Sequence, residues 1–217
     1  MLSFETCCSR TRVLTTQGST SCGLGRRASG AGIGTLARVW ESITAVKPDC
    51  LEIDPRQRAV LEQRGFHCYA RLSDIQTRYD IIYTSNVLEH IEDDVAALRD
   101  LRALLKDGGA LIVYVPAFQC LYSHLDADVG HYRRYGKREL RDKLSAAGFA
   151  IRRVQYSDSI GFLAWFMTRF QRHASDAHTS RRMALYDRLV YPLSRLCDAV
   201  GCRALFGKSL LAVATTS

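Results

Sequence analysis

Tyr79-Asp80-Ile81-Ile82-Tyr83-Thr84-Ser85-Asn86-Val87-Leu88-Glu89-His90-Ile91-Glu92-Asp93-Asp94 decides how this chain is read. Its apolar run, Ile81-Ile82-Tyr83, is too short for a helix and rich in β-branched and aromatic residues, the pattern of a buried strand. The polar crossing Thr84-Ser85-Asn86 follows the strand. Glu92, Asp93 and Asp94 then mark a helix start, where carboxylates meet free backbone N–H groups. In an open parallel sheet, ligands bind just past the carboxyl ends of the strands. Asn86 to Ile91 are therefore expected on the rim of a pocket.

Downstream, Val95, Leu98, Leu101 and Leu105 repeat at near-helical spacing, and Lys106-Asp107-Gly108-Gly109 stops that helix. Ala110 to Pro116 is a continuous apolar strand, as in a sheet covered on both faces. Upstream, Asp49 to Pro55 reads as a strand ending in acids before a helix over 56–64. Phe66 to Ala70 is a short strand leading to Leu72-Ser73-Asp74-Ile75. Earlier still, Gly30-Ala31-Gly32-Ile33-Gly34-Thr35 runs into Leu36-Ala37-Arg38-Val39-Trp40, which can be helical. Alternate glycines let a backbone turn tightly and approach a ligand, and the helix start behind them offers free N–H groups. The spacing is Gly-x-Gly-x-Gly, not the Gly-x-Gly-x-x-Gly of dinucleotide sites.

Glycine loop, acid-ended strand, Asp80-led strand with Leu88-Glu89-His90, and Gly108-Gly109 strand occur in an order and spacing that resembles the class I S-adenosylmethionine (SAM)-dependent methyltransferases. The resemblance covers residues 30–214 and is strongest over 52–149. It implies a doubly wound, Rossmann-like α/β sheet of seven strands with helices on both faces. It also implies SAM as cofactor and methyl transfer to a small-molecule or lipid-linked acceptor. Carried over by position, Gly30, Gly32 and Gly34 cradle the amino-acid end of the cofactor, Glu52 accepts the ribose hydroxyls, and Asp74 takes the adenine amino group. Asn86, Val87 and Leu88 complete that site. Asp54 is read as a helix cap. The family has a buried strand ending in an acid before the glycine loop, whereas this chain has Gly25-Arg26-Arg27-Ala28-Ser29, so the first strand is degraded or atypical. Two readings are open: Arg12 to Thr16 supplies the strand through a long excursion, or residues 1–29 are foreign to the domain. The expected organisation is an atypical, disordered segment 1–29 and a methyltransferase domain 30–217.

Phe118 to Arg134 is a long aromatic and polar segment, the kind that is functional or disordered. Gly130-His131-Tyr132-Arg133-Arg134-Tyr135, followed by a Lys-Arg-Glu-Leu helix, resembles a bacterial subgroup of these enzymes. Leu140, Leu144 and Ala147 give that helix a buried face and Gly148 ends it. From His131 to Lys143, six Lys and Arg oppose two acids, a net +4. This is either a solvated helix face with core aromatics, or a lid whose His131, Arg133 and Arg134 hold an anionic part of the substrate. Methyl transfer requires a base only where the acceptor is a hydroxyl that must lose its proton. His90 and His131 are the candidates, with Tyr135 behind them; His90 is also read as packing beneath the cofactor. No metal is expected, because the loose spacing of His124, Asp126, Asp128 and His131 fits no standard ligand pattern.

At 217 residues with a net charge of +8, the chain suits one globular domain and is modestly basic. Its eight cysteines contain no Cys-x-x-Cys, so neither a disulfide framework nor a zinc site is expected. With no secretory core at the N-terminus and no run long enough to span a bilayer, the expectation is a cytoplasmic protein. Ile160 to Met167, flanked by Arg169 and Arg172, is apolar all round. It is either a buried helix or a peripheral membrane contact through 160–172. Other function classes stay in view. A nicotinamide-dependent oxidoreductase is disfavoured by the glycine spacing and the lack of a Tyr-x-x-x-Lys pair. A catalytically impaired binding protein on the same fold draws on the atypical first strand. Nucleic acid is not an expected partner, since Asn86 is followed by Val87-Leu88 and not by a Pro-Pro-Tyr motif.

Overall fold

The computed structural model describes residues 13–17, 34–168 and 191–216. In chain order these form β1 (Val13–Gln17), α1 (Thr35–Thr44), β2 (Asp49–Leu51), α2 (Pro55–Gln63), β3 (Cys68–Tyr69) and β4 (Tyr79–Ser85). Then come α3 (Asp94–Ala103), β5 (Leu105–Pro116), α4 (His124–Asp128), α5 (Lys137–Ala146), β6 (Ala150–Ser157), α6 (Ser159–Thr168), α7 (Tyr191–Ala199) and β7 (Ser209–Thr215). Short 3-10 turns at Leu72–Asp74 and Leu88–His90 follow β3 and β4.

The strands form one seven-stranded sheet in the order β3-β2-β1-β4-β5-β7-β6. Pairing is parallel from β3 through β5, and β7 is antiparallel to both of its neighbours. Adjacent residues of β2 show that both faces are covered, because successive side chains on a strand point to opposite sides. Cys50 packs with Ala37 of α1 and with Leu61 and Phe66 of the α2 segment. Leu51 packs against the larger cluster, where Leu98 and Leu101 of α3 and Leu140 and Leu144 of α5 meet Leu14, Ile82, Leu111 and Val113.

The helix boundaries follow their local chemistry. Asp54 caps α2 by accepting from the Arg56 N–H at 2.9 Å, with Pro55 in the first turn. Asp93 caps α3 through the Ala96 N–H at 2.9 Å. Gly148, at φ 85°, turns the chain out of α5.

Of the two readings open for the N-terminal segment, the structure takes the one in which Arg12 to Thr16 supplies the strand: Val13–Gln17 is the central strand. Leu14 pairs with Asp49 on one side and Ile82 on the other, and Val13 and Leu14 are buried. The strand is short and isolated in sequence, and its two distant partners are what fix it; the rest of 1–29 lies outside the described residues. β7 lies between β5 and β6, and β6 is the edge. Its buried Leu210, Ala212 and Ala214 suit an interior position. Among the described residues, no helix is long and apolar enough to cross a membrane, and the cysteines at 50, 68, 120, 197 and 202 are free thiols.

Candidate active site

The sheet reverses its winding between β1 and β4: the strands beyond β1 are β2 and β3, and those beyond β4 are β5, β7 and β6. Such a switch point opens a crevice at the carboxyl ends of the two strands, here near the paired Gln17 and Ser85.

On the β1–β3 side, Glu52 directly follows β2 and is 7% exposed. Its Oε1 accepts from the Asp54 N–H at 2.9 Å, and its own N–H donates to the Tyr69 carbonyl at 3.0 Å, so the carboxylate is held in place. Burial pushes its pKa above the ordinary carboxylate value, against the lowering effect of the Asp54 N–H. Gly34 stands at the start of α1 with φ 74°, where an added Cβ would come within 2.8 Å of Leu61. Gly30 and Gly32 lie outside the described residues. Asp74 sits in the turn after β3 and is exposed, accepting from the neighbouring Ser73 hydroxyl at 3.3 Å. The buried acid beside the central strand and the glycine-led helix start fit a ribose and an amino-acid end at these positions.

On the β4 side, Asn86 leaves the strand at φ 50° while its N–H donates to the Tyr114 carbonyl at 2.9 Å. A positive φ is uncommon outside glycine and more accessible to Asn than to most residues. Asn86 is exposed and Val87 half-buried. The Leu88 side chain belongs to the core cluster, so only its backbone is left for the crevice.

The next turn brings together side chains that are distant in sequence. Glu89 is fully buried, and among the described residues neither of its carboxylate oxygens has a hydrogen-bond partner. His131 Nε2 lies 3.9 Å from Glu89 Oε1, and the His90 and His131 rings meet edge to face at 4.6 Å between centroids. Asp126 holds His131, with Oδ1 2.9 Å from Nδ1, while Arg134 donates to both Asp126 oxygens at 2.9 and 3.0 Å. Burial pushes Glu89 up to about 7. Burial acts in the same sense on Asp126, but the His131 and Arg134 hydrogen bonds outweigh it and hold that carboxyl below its usual range. Burial, with His131 nearby, lowers the His90 pKa and favours its neutral ring.

The geometry therefore sorts the expected catalytic and substrate-binding residues. His90 and His131 meet at the rim. Tyr135 does not join them: it is fully buried, and its hydroxyl donates to Asp94 at 2.8 Å. Burial and that carboxylate both oppose phenol ionisation, so Tyr135 is corrected to a structural role. Arg134 is 5% exposed and committed to Asp126, with the Trp165 ring 5.1 Å away. Arg133 donates to Asp94 at 3.0 Å and to the Glu92 carbonyl at 2.8 Å. Lys143 also donates to Asp94, at 2.6 Å. The lid reading of these arginines gives way to two buried carboxylate hubs: Asp126 binds His131 and Arg134 within the 118–135 segment, and Asp94 ties that segment to α3 and α5. His124 and Asp128 are exposed and stand outside the cluster. From the sequence Glu89 carries no assigned role, and Asp126 belongs only to a loose pattern that fits no metal site. Their signal in the sequence is an acid next to a histidine and an acid five residues before another.

Residues 29–154 match the family described as a methyltransferase domain. No curated protein sequence matches the chain. Among solved structures, the chain is similar to phosphoethanolamine N-methyltransferase 2 of Haemonchus contortus, solved with SAM, at TM-score 0.58 and 15% identity over 95% of this chain. It spans about half of that protein, 49% of its length. It is also similar to the cyclopropane synthase MmaA2 of Mycobacterium tuberculosis (TM-score 0.59, 13% identity, 95% of this chain and 78% of that one). A SAM-dependent methyltransferase of Archaeoglobus fulgidus matches at TM-score 0.57 and 14% identity, over 99% of this chain and 95% of that one. At such identities the likeness is one of fold.

Proposed function

The chain belongs to the methyltransferase-domain family of SAM-dependent enzymes, and we propose on that basis that it methylates a small-molecule or lipid-linked acceptor held at the β4 end of the crevice. The observation that carries the reading is Glu52, a buried carboxylate fixed at the carboxyl end of β2 beside the central strand. An acid so placed accepts two vicinal hydroxyls of a ribose, a neutral diol that compensates a buried charge. Bound there, the sulfonium supplies an already activated methyl group, so the protein's task is alignment for in-line displacement. Gly34 and the α1 start approach one end of the ligand, Glu52 fixes the ribose, and the Asn86 turn shapes the wall next to the acceptor. The acceptor then faces Glu89, His90 and His131.

Two observations favour a small or lipid-linked acceptor. One similar structure is named for phosphoethanolamine, a small molecule. Leu163 and Phe166 are also exposed on α6, an apolar pair suited to an interface. Peripheral membrane contact through this helix is part of the proposal; residues 169–172 of the stretch lie outside the described residues.

The test is calorimetric titration of SAM into the full chain and into Glu52→Ala. Micromolar binding, weakened about 10–100-fold in the variant by loss of charge-assisted hydrogen bonds, supports the reading. A folded chain that binds no SAM overturns it.

A further inference from the structure

We propose that Glu89, His90 and His131 form a binding site for one divalent transition-metal ion at the acceptor end of the crevice. One donor atom from each lies within 4.8 Å of the others. The 3.9 Å between Glu89 Oε1 and His131 Nε2 is a span that an ion about 2.1 Å from each donor would bridge.

Three further observations point to a cation. Glu89 is wholly buried, and among the described residues neither oxygen has a partner. Native interiors seldom leave a carboxylate so, because an isolated buried charge is costly until something pairs with it. Both imidazoles are also prepared as ligands. Asp126 takes the Nδ1 side of His131, leaving the Nε2 lone pair toward Glu89. The His90 Nε2 is buried and unpartnered among the described residues. A histidine whose far nitrogen is fixed by a carboxylate or a carbonyl is the usual support of a metal ligand. Finally, Arg134 is clamped on both oxygens of Asp126, so among the described residues no cation is hydrogen-bonded to Glu89. The next-nearest reading, a metal-free His131–Asp126 pair, accounts for His131 but leaves Glu89 without a purpose.

Two imidazoles and one carboxylate select zinc, manganese or iron(II) over magnesium or calcium, which prefer all-oxygen sets. Three protein ligands leave coordination positions open, the arrangement of catalytic rather than structural sites. On the methyltransferase reading, which this part rests on, an acceptor oxygen takes an open position. The metal-bound hydroxyl gives up its proton to solvent more readily, its oxygen then forms the C–O bond, and the methyl–sulfur bond breaks to release the neutral thioether. His131 is thus a ligand, and Asp126 is a positioning residue.

The full chain, stripped with chelator, is titrated with Co2+ while visible d–d absorption is followed, then back-titrated with Zn2+. SAM binding is measured on the same preparations. The expected result is one Co2+ per chain, displaced by Zn2+, with affinity at least tenfold weaker in Glu89→Gln and in His131→Gln. Asp126→Asn is expected to fall about 10–100-fold while still saturating. Circular dichroism checks that each variant is folded, and His90→Gln replaces any that is not. A folded chain that binds SAM but neither metal at millimolar concentration overturns the site and leaves the methyltransferase reading standing. Stoichiometric Co2+ that the folded ligand variants do not weaken also overturns it. Metal bound through these residues without SAM binding supports the site and removes the role given to it.

Discussion

Glu52 places stability and binding in opposition. Its folded-state pKa lies above that of the unfolded chain because burial disfavours the charge. At low pH both states are protonated and the carboxyl costs nothing. As pH rises from about 4.5, the unfolded chain ionises first, and the cost to the fold is complete once the pH passes the raised folded value. Glu52→Gln should therefore raise the Tm of the cofactor-free chain at pH 7 to 8 and leave it unchanged near pH 4. SAM affinity should move the other way, weakening in the variant about 10–100-fold. In the unmodified chain it should fall as acid protonates Glu52; paired thermal scans and calorimetry across that range read both effects. Tyr135 provides the contrast. Tyr135→Phe removes a hydrogen bond to the buried Asp94 carboxylate, worth about 1.5–3 kcal/mol, and should lower the Tm by several degrees. The kcat of the folded fraction and its pH profile should stay unchanged, whereas a catalytic tyrosine would shift both.

β1 carries more of the fold than its length suggests. With β2 on one side and β4 on the other, its loss would separate β3-β2 from β4-β5-β7-β6. Leu14 is fully buried in that strand. Leu14→Ala should cost about 2–5 kcal/mol and lower the Tm by roughly 10 °C for a chain of this size, with a loss of SAM binding that tracks unfolding. A chain beginning at Gly30 should show no cooperative transition. A native-like melt from that fragment would remove β1 from its central role. These elements also show what the sequence could and could not disclose. Ile81-Ile82-Tyr83 and the cap at Asp93 are written locally, in side-chain period and in one carboxylate three residues from its N–H. Val13–Gln17 has only two apolar residues, enough to leave Arg12 to Thr16 as one of two open readings, and becomes a strand through partners at 49–51 and 81–85. The cluster at the rim is similarly non-local. His90 and His131 were visible as chemistry, but Glu89 as an unpaired charge, and Arg134 as the clamp on Asp126, required the fold to bring 89, 126 and 131–134 together.

For the molecule as a whole, the proposed membrane contact makes a separable claim. Net charge is +8, and α6 exposes Leu163 and Phe166. Co-sedimentation should find the chain on anionic vesicles and much less on neutral ones, with binding weakened by salt as surface electrostatics are screened. Replacing Leu163 and Phe166 with Ser should reduce vesicle binding severalfold without altering SAM affinity. Equal binding by the doubly substituted chain would assign the attraction to charge alone.

The placement of β7 bears on how the protein is born. β5 and β6 are made early, but the strand that lies between them is drawn from residues 209–215. On the ribosome, Leu111 and Val113 of β5 and Val154 and Tyr156 of β6 must wait beside a vacant slot while more than fifty residues are still to be polymerised. A nascent chain stalled or cut before Ser209 would present two open, apolar strand borders facing the same gap, a substrate for chaperones or for self-association rather than a partly working enzyme.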